Sequence, residues 1–262
     1  MDKIQLLDLT IQLVNYKTKR YLLTCLESLL KDLKDASFKW EINILDNDSG
    51  DDLSDLEKQY SKDPIHFYYS DKNLGFGTGH NFLAKKSQAD YILILNTDLK
   101  FTENNTVNSL LQNCISDNTI KVVGPALITP QNKIQLWDHG ESQGFLATIS
   151  LNSYWKKHSN SCEVAWVSGA VLLIERKIFN EISGFDEKMF LYGEDVDLCF
   201  RVRKLGWKIL YDPTVRVHHY GGAVGRRNDY VRKSNDYYLD KHFRRHPLYW
   251  LFKTVNRILP YF

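Results

Sequence analysis

Runs suited to strands and runs suited to helices alternate without a break through about residue 98, and this narrows the fold more than any other feature of the chain. "LTIQLVNY" (9–16) is β-rich, and "KRYLLTCLESLLKDL" follows with Leu22, Leu23, Leu26, Leu29, Leu30 and Leu33 at helical spacing. "WEINILDND" then reads as a strand, "DLSDLEKQY" as a helix and "IHFYYS" as a third strand. A glycine-bearing helix start leads into "DYILILNTD", a continuous apolar run of the kind a strand covered on both faces shows. Such alternation specifies an open, mostly parallel α/β sheet. Ligands of such sheets sit beyond the C-terminal ends of the strands, which draws attention to Asn15, Asp46 to Asp48, Asp71 to Gly79 and Asn96 to Asp98. No repeat or low-complexity linker separates the second half, so it is expected to pack on the same sheet.

Composition sets the limits. The 262 residues are 43% hydrophobic, enough for one sizeable core. Thirty-four Lys and Arg against thirty-two acids leave +2, too little to imply a nucleic-acid partner. Cys25, Cys114, Cys162 and Cys199 show no CxxC spacing and read as reduced core thiols of a cytoplasmic protein. No leader-like apolar run opens the chain, and no segment reaches the roughly 18 to 20 apolar residues of a spanning helix.

Four short stretches carry candidate chemistry. "NLGFGTGHN" (73–81) has glycines at alternate positions, either to let backbone approach a phosphate or sugar or simply to make a turn. Its GxGxG spacing after the third strand differs from the dinucleotide fingerprint, GxGxxG after the first, which counts against an oxidoreductase. In "ILILNTD" the strand delivers Asp98 to the ligand edge, as a metal ligand or a helix cap. "VRVHHYGG" delivers His218 and His219 in the same way, and imidazole with carboxylate suits an ion such as Mn²⁺. "FLYGEDVDLCF" sets Glu194, Asp195 and Asp197 within four positions, a general base or the acidic first turn of a helix, or both at once.

In order, Val14-Asn15-Tyr16, "LDNDSGD", "NLGFGTGHN", Asn96-Thr97-Asp98, "WVSGAVLLI", "GFDEKMFLYGEDVDLCFR" and "VHHYGG" resemble glycosyltransferase family 2, and within it the rhamnosyltransferase-like members. The resemblance implies a GT-A fold over 1–225, with a nucleotide-sugar-binding half (1–98), an acceptor-binding half (99–225) and a helical tail (226–262). It implies inverting transfer from a dTDP- or UDP-sugar, rhamnose foremost, to a saccharide or polyprenyl-linked saccharide. Val14, Asn15, Tyr16, Asp46, Asn47, Asn73, Gly75, Gly79, Asn81, Asn96 and Thr97 would line the nucleotide-sugar site, with Asp46 on the base. Asp98 would hold Mn²⁺ or Mg²⁺ with a histidine, His219 matching better than His218. Asn96 stands where the family's DxD motif has its first Asp. Asp195 matches the catalytic base, with Glu194 touching the acceptor and Asp197 bracing the helix. Trp166, Ser168, Gly169 and Tyr192 would shape the acceptor or sugar pocket. A noncatalytic carbohydrate-binding homologue is the rival reading.

The tail, "RRNDYVRKSNDYYLDKHFRRHPLYWLFKTVNRILPYF", mixes basic and aromatic residues and reads equally as an interfacial helix on the inner membrane face or as a helix packed on its own domain. Pro247 is expected to start a last helix. A homodimer is compatible with all of this.

Overall fold

The computed structural model describes residues 7–142, 155–221 and 228–258. In chain order they form β1 (Leu9–Asn15), α1 (Lys19–Asp32), β2 (Trp40–Asn47), α2 (Ser54–Gln59), β3 (Ile65–Ser70), α3 (Phe76–Ala84), β4 (Tyr91–Leu95), β5 (Leu99–Lys100), α4 (Thr106–Ile115), β6 (Ile120–Ile128), β7 (His139–Gly140), β8 (Cys162–Glu163), β9 (Trp166–Val167), β10 (Val171–Glu175), α5 (Arg176–Glu181), α6 (Glu194–Lys204), β11 (Lys208–His219), α7 (Asn228–Phe243) and α8 (Tyr249–Ile258). The alternation expected through residue 98 is present.

One large sheet runs β3-β2-β1-β4-β10-β6-β11-β5, with β8 on β11, and β7 and β9 form a separate small pair. The first four strands are mutually parallel, and the register places Asn15 opposite Asp46 and Leu13 opposite Leu95, so their C-terminal ends make one rim. β10 enters antiparallel to both β4 and β6. The second half therefore completes the same sheet.

Alternate residues on the central strands face opposite cores, as the two-residue period of a strand requires. Leu93 and Leu95 of β4 and Val171 and Leu173 of β10 pack with Leu22, Leu26 and Leu29 of α1 and Leu110 of α4. Ile92 and Ile94, with Leu172 and Ile174, face the other way onto Ile178, Phe185, Leu198 and Val202. Each such leucine or isoleucine, fully withdrawn from water, contributes about 1.5–3 kcal/mol before chain entropy is set against it. Burial on both faces is the reason these strands are unbroken apolar runs.

The tail is docked. Leu239 of α7 packs with Tyr249 and Phe252 of α8, and Ser234 Oγ donates to Leu191 O at 3.1 Å in the loop ahead of α6. Pro247, expected to start the last helix, lies two residues ahead of α8, which begins at Tyr249. On α8, Trp250, Leu251 and Ile258 stay exposed. No helix among the described residues is long and apolar enough to cross a membrane. Gly222, Arg226, Arg227 and Leu259 to Phe262 of the stretches singled out above lie outside the described residues.

Candidate active site

The rim is an amide and carboxylate network. Asn15 Nδ2 donates to Asp46 Oδ1 at 2.9 Å, Ser49 Oγ at 3.2 Å and Asp51 Oδ2 at 3.0 Å, and Thr18 Oγ1 donates back to Asn15 Oδ1 at 2.9 Å. Thr97 Oγ1 joins by donating to Thr18 Oγ1 at 2.8 Å. Asn47 shapes the next turn: its Oδ1 accepts from Leu74 N at 2.8 Å, and its Nδ2 donates to Asn73 Oδ1 at 3.1 Å and Gly75 O at 3.2 Å. Asn73 Oδ1 also takes Gly75 N at 2.8 Å. Val14 and Tyr16 flank Asn15 at this strand end, with Lys17 Nζ 5.2 Å from the Tyr16 ring centroid.

The three glycines of "NLGFGTGHN" are used by the protein itself. Gly75 has φ +81°, and a Cβ there would stand 2.4 Å from Phe190 O, which accepts Phe76 N at 3.0 Å. A Cβ on Gly77 would meet Phe185 Cβ at 2.8 Å, and one on Gly79 would meet Val14 at 3.1 Å. Close packing of α3 on the sheet and on the 185–190 loop thus accounts for all three. Asn81 is committed in the same way: its Nδ2 donates to Phe185 O and its Oδ1 accepts from Phe185 N, both at 2.9 Å.

His219 and Asp98 meet at the end of β11. Gln135 Oε1, which can only accept, lies 2.7 Å from His219 Nδ1, so the ring proton sits there and Nε2 presents its lone pair. That lone pair faces Asp98 Oδ1 at 3.2 Å, while Asn96 Nδ2 lies 3.3 Å away. Both His219 and Asp98 are buried. An imidazole lone pair and a carboxylate oxygen turned toward each other form a donor set that a divalent cation satisfies. His218, one residue earlier, alternates to the other side of β11 in register with Lys100. The second ring nitrogen of His219 found its partner in Gln135, a loop residue with no periodicity or motif to mark it.

The acidic cluster is divided by its surroundings. Tyr192 (φ +71°) and Gly193 (φ +82°) both take the left-handed conformation, a tight turn that starts α6 at Glu194. Asp195 Oδ2 accepts from Gly169 N at 2.9 Å and Oδ1 from Val196 N at 2.8 Å. Burial pushes its carboxyl above the ordinary aspartate value despite those two hydrogen bonds. Glu194 is 3% exposed, packs beside Gly77, and its Oε1 has no hydrogen-bond partner among the described residues. Burial first, and the charge of Asp195 second, raise it well above the usual glutamate range. Glu194 is therefore almost wholly withdrawn from solvent.

Asp197 answers the opposite way. Burial alone would raise its carboxyl, but His242, Arg201 and Lys241 together hold it far below the usual range. Arg201 Nε reaches Oδ2 at 2.7 Å, and Lys241 Nζ and His242 Nε2 both reach Oδ1 at 2.7 Å. Lys241 also pairs with Asp186 at 2.7 Å. The third acid of the cluster thus fastens α6 to α7, so the packing alternative describes the tail as far as His242.

Gly169 links the two centres. It holds Asp195 through its N–H, and its neighbour Ala170 offers the carbonyl that accepts Asn96 N at 2.9 Å. Ser168 Oγ accepts Ala170 N at 3.2 Å. Trp166 is buried, its indole filling the space over Gly140.

Comparison with known proteins decides the family. The model of "Glycosyl transferase family 2" matches residues 10–182, and that of "Glycosyltransferase like family 2" matches 153–246. The chain belongs to glycosyltransferase family 2. Among curated relatives, the N-acetylglucosaminyl-diphospho-decaprenol L-rhamnosyltransferase of Mycobacterium tuberculosis is 47% identical over 64 residues, 24% of this chain and 21% of that one. Rhamnosyltransferase WbbL of Escherichia coli is 32% identical over 81 residues, 31% of this chain and 30% of that one. The low-salt glycan biosynthesis hexosyltransferase Agl10 of Haloferax volcanii is 25% identical over 203 residues, 75% of this chain and 62% of that one. The matches thus span less than two thirds of each of these relatives. The fold is the GT-A fold. Similar solved structures include GalNAc-T7 with UDP, GalNAc and Mn²⁺ (TM-score 0.65, 16% identity, 97% of this chain and 55% of that one). A mannosyltransferase of Pyrobaculum calidifontis with GDP-Man and Mn²⁺ is similar too (TM-score 0.64, 13% identity, 97% and 69%).

Proposed function

We propose that this family 2 protein is an inverting, metal-dependent glycosyltransferase that moves a sugar, rhamnose foremost, from a nucleoside diphosphate to a saccharide or lipid-linked saccharide in surface-polysaccharide synthesis. The observation that carries the proposal is the split of three neighbouring carboxylates into a half-buried, hydrogen-bonded acceptor of raised pKa (Asp195), a buried acid (Glu194) and an ion-paired brace (Asp197). Each oxygen of Asp195 takes one backbone N–H and keeps a further lone pair for a substrate hydroxyl. Asp195 takes the acceptor proton as the hydroxyl attacks the anomeric carbon, the bond to the diphosphate breaks, and the diphosphate departs with the electron pair from the opposite face. Asp46 and the Asn15 network bind the base and ribose side of the donor. Asp98 and His219 Nε2 would hold Mn²⁺ or Mg²⁺, which when bound supplies positive charge to the departing diphosphate. The rhamnosyl donor rests on the two rhamnosyltransferase relatives, and the broader match to a hexosyltransferase makes UDP-hexoses the comparison donors. The exposed Trp250, Leu251 and Ile258 of α8 would rest on the inner membrane face where a lipid-linked acceptor lies.

Titration calorimetry with dTDP-rhamnose and UDP-hexoses tests the donor site. Asp98→Ala is expected to weaken the donor by about tenfold or more, roughly 1.4 kcal/mol, in Mn²⁺ and to change nothing in a chelator. Asp46→Ala is expected to weaken it in both. Equal losses with and without metal in Asp98→Ala would overturn the metal assignment, and a donor preference for UDP-hexose would overturn the rhamnosyl one.

A further inference from the structure

A second metal-binding constellation lies away from the rim, at the small β7–β9 pair. His139, Glu141 and His158 each offer one ligand atom, the three atoms lying within 4.8 Å of one another. His139 is fully buried, and among the described residues its Nε2 has no hydrogen-bond partner. A buried ring nitrogen left unsatisfied is a desolvation penalty that native structures rarely carry without a purpose. Its orientation is fixed from behind. Asp138 Oδ1 lies 2.7 Å from Nδ1, and the ring stacks on Tyr211 at 3.8 Å between centroids. Asp138 is itself held by Tyr211 Oη and Trp155 Nε1, each donating at 2.8 Å. With the proton on Nδ1, Nε2 points a lone pair at Glu141 Oε1, 3.7 Å away, and the same carboxylate oxygen meets His158 Nε2.

We propose that His139, Glu141 and His158 form a zinc site that ties the end of β7 to the described chain ahead of β8, separate from the donor-site cation. Two imidazoles and a carboxylate, with a fourth position for water, are a zinc ligand set. Tetrahedral bonds of about 2.0–2.1 Å put ligand atoms roughly 3.4 Å apart, close to the present separation of His139 and Glu141. The Asp138–His139 pair supplies the carboxylate behind a ligating histidine that fixes its tautomer and ring orientation. Glu141 and His158 stand on either side of residues 143–154, and β7 pairs His139 with Val167 and Gly140 with Trp166, close to Ser168 and Gly169. The clamp thus steadies the strand that delivers the Asp195 partner without touching the reacting atoms.

The test uses the full chain without an affinity tag, stripped with chelator and titrated with Zn²⁺ and with Co²⁺ as a spectroscopic probe. One tight equivalent is expected, with the intense visible bands of four-coordinate Co²⁺ and a rise in melting temperature. His158→Ala and Glu141→Gln, partly exposed and expected to fold, should lose the tight equivalent and the bands, whereas Asp98→Ala should keep both. Asp138→Asn should weaken zinc by about 10- to 100-fold. Absence of a tight equivalent in the native chain, or its survival in both His158→Ala and Glu141→Gln, would overturn the site. Its loss in Asp98→Ala instead would assign the ion to the donor site.

Discussion

Asp195→Asn is expected to keep donor affinity within a few-fold while turnover to acceptor falls by roughly 10² or more, the scale of general base catalysis. The amide keeps the side chain's shape and still accepts one backbone N–H, but it has no basic lone pair with which to take the acceptor proton. Direction follows from pKa. Burial raises the Asp195 carboxyl, and only its ionised form works, so turnover in the native enzyme falls as pH drops through a value above that of an ordinary aspartate. That acid limb should vanish from the residual rate of the variant. Glu194→Gln provides the contrast: burial and the charge of Asp195 push this acid well above the usual range and favour its neutral form, which an amide mimics, so turnover should stay within a few-fold of native. Stopped assays for released nucleoside diphosphate, run across pH with both variants, separate the two residues. Equal rate losses in both would remove Asp195 from its assigned role.

Asp197→Asn is expected to destabilise the fold by about 3–5 kcal/mol, the consequence of leaving Arg201, Lys241 and His242 around a neutral, fully buried side chain. At about 2–4 °C per kcal/mol, the melting temperature should fall by roughly 6 °C or more. The sign with pH is fixed by linkage. Because the folded carboxyl is held far below its unfolded value, its stabilisation is fully present above about pH 4 and is lost as acid protonates it toward the folded value. The melting difference between native and variant should therefore be constant at neutral pH and shrink below about pH 4. Calorimetric melts from acid to neutral pH check this, and a difference of under about 1 kcal/mol at pH 7 would show that the Asp197 ion pairs do not hold the tail. The same bond network means that removing residues from 242 onward takes away one of the three partners of Asp197 along with any membrane-facing surface.

Much of this architecture was legible because its signals are local. Leu22 to Leu33 repeat at helical spacing, and "ILIL" before Asn96 is continuous because both faces of β4 are covered. The antiparallel insertion of β10 was not legible, since "VLLI" buried on both faces looks the same in either direction. Asp195, Asp98 and His219 stand out in sequence because each follows a strand or starts a helix at the ligand edge. The glycines were legible only in part: Gly75, Gly77 and Gly79 signal close approach, and the fold brings Phe190, Phe185 and Val14 to them, contacts that join residues as far apart in sequence as Gly75 and Phe190. The tail illustrates the same limit. Lys241 and His242 look like part of a basic surface until the fold brings Asp197 to them.

The anomeric configuration of the product tests the central claim most directly, because a base that deprotonates the acceptor opposite a departing diphosphate allows only single displacement. Native enzyme, Mn²⁺, the donor selected by calorimetry and its acceptor should give, by proton NMR on product taken early in the reaction, a glycosidic bond of configuration inverted from that of the donor sugar. A product that retains the donor's configuration would contradict the account.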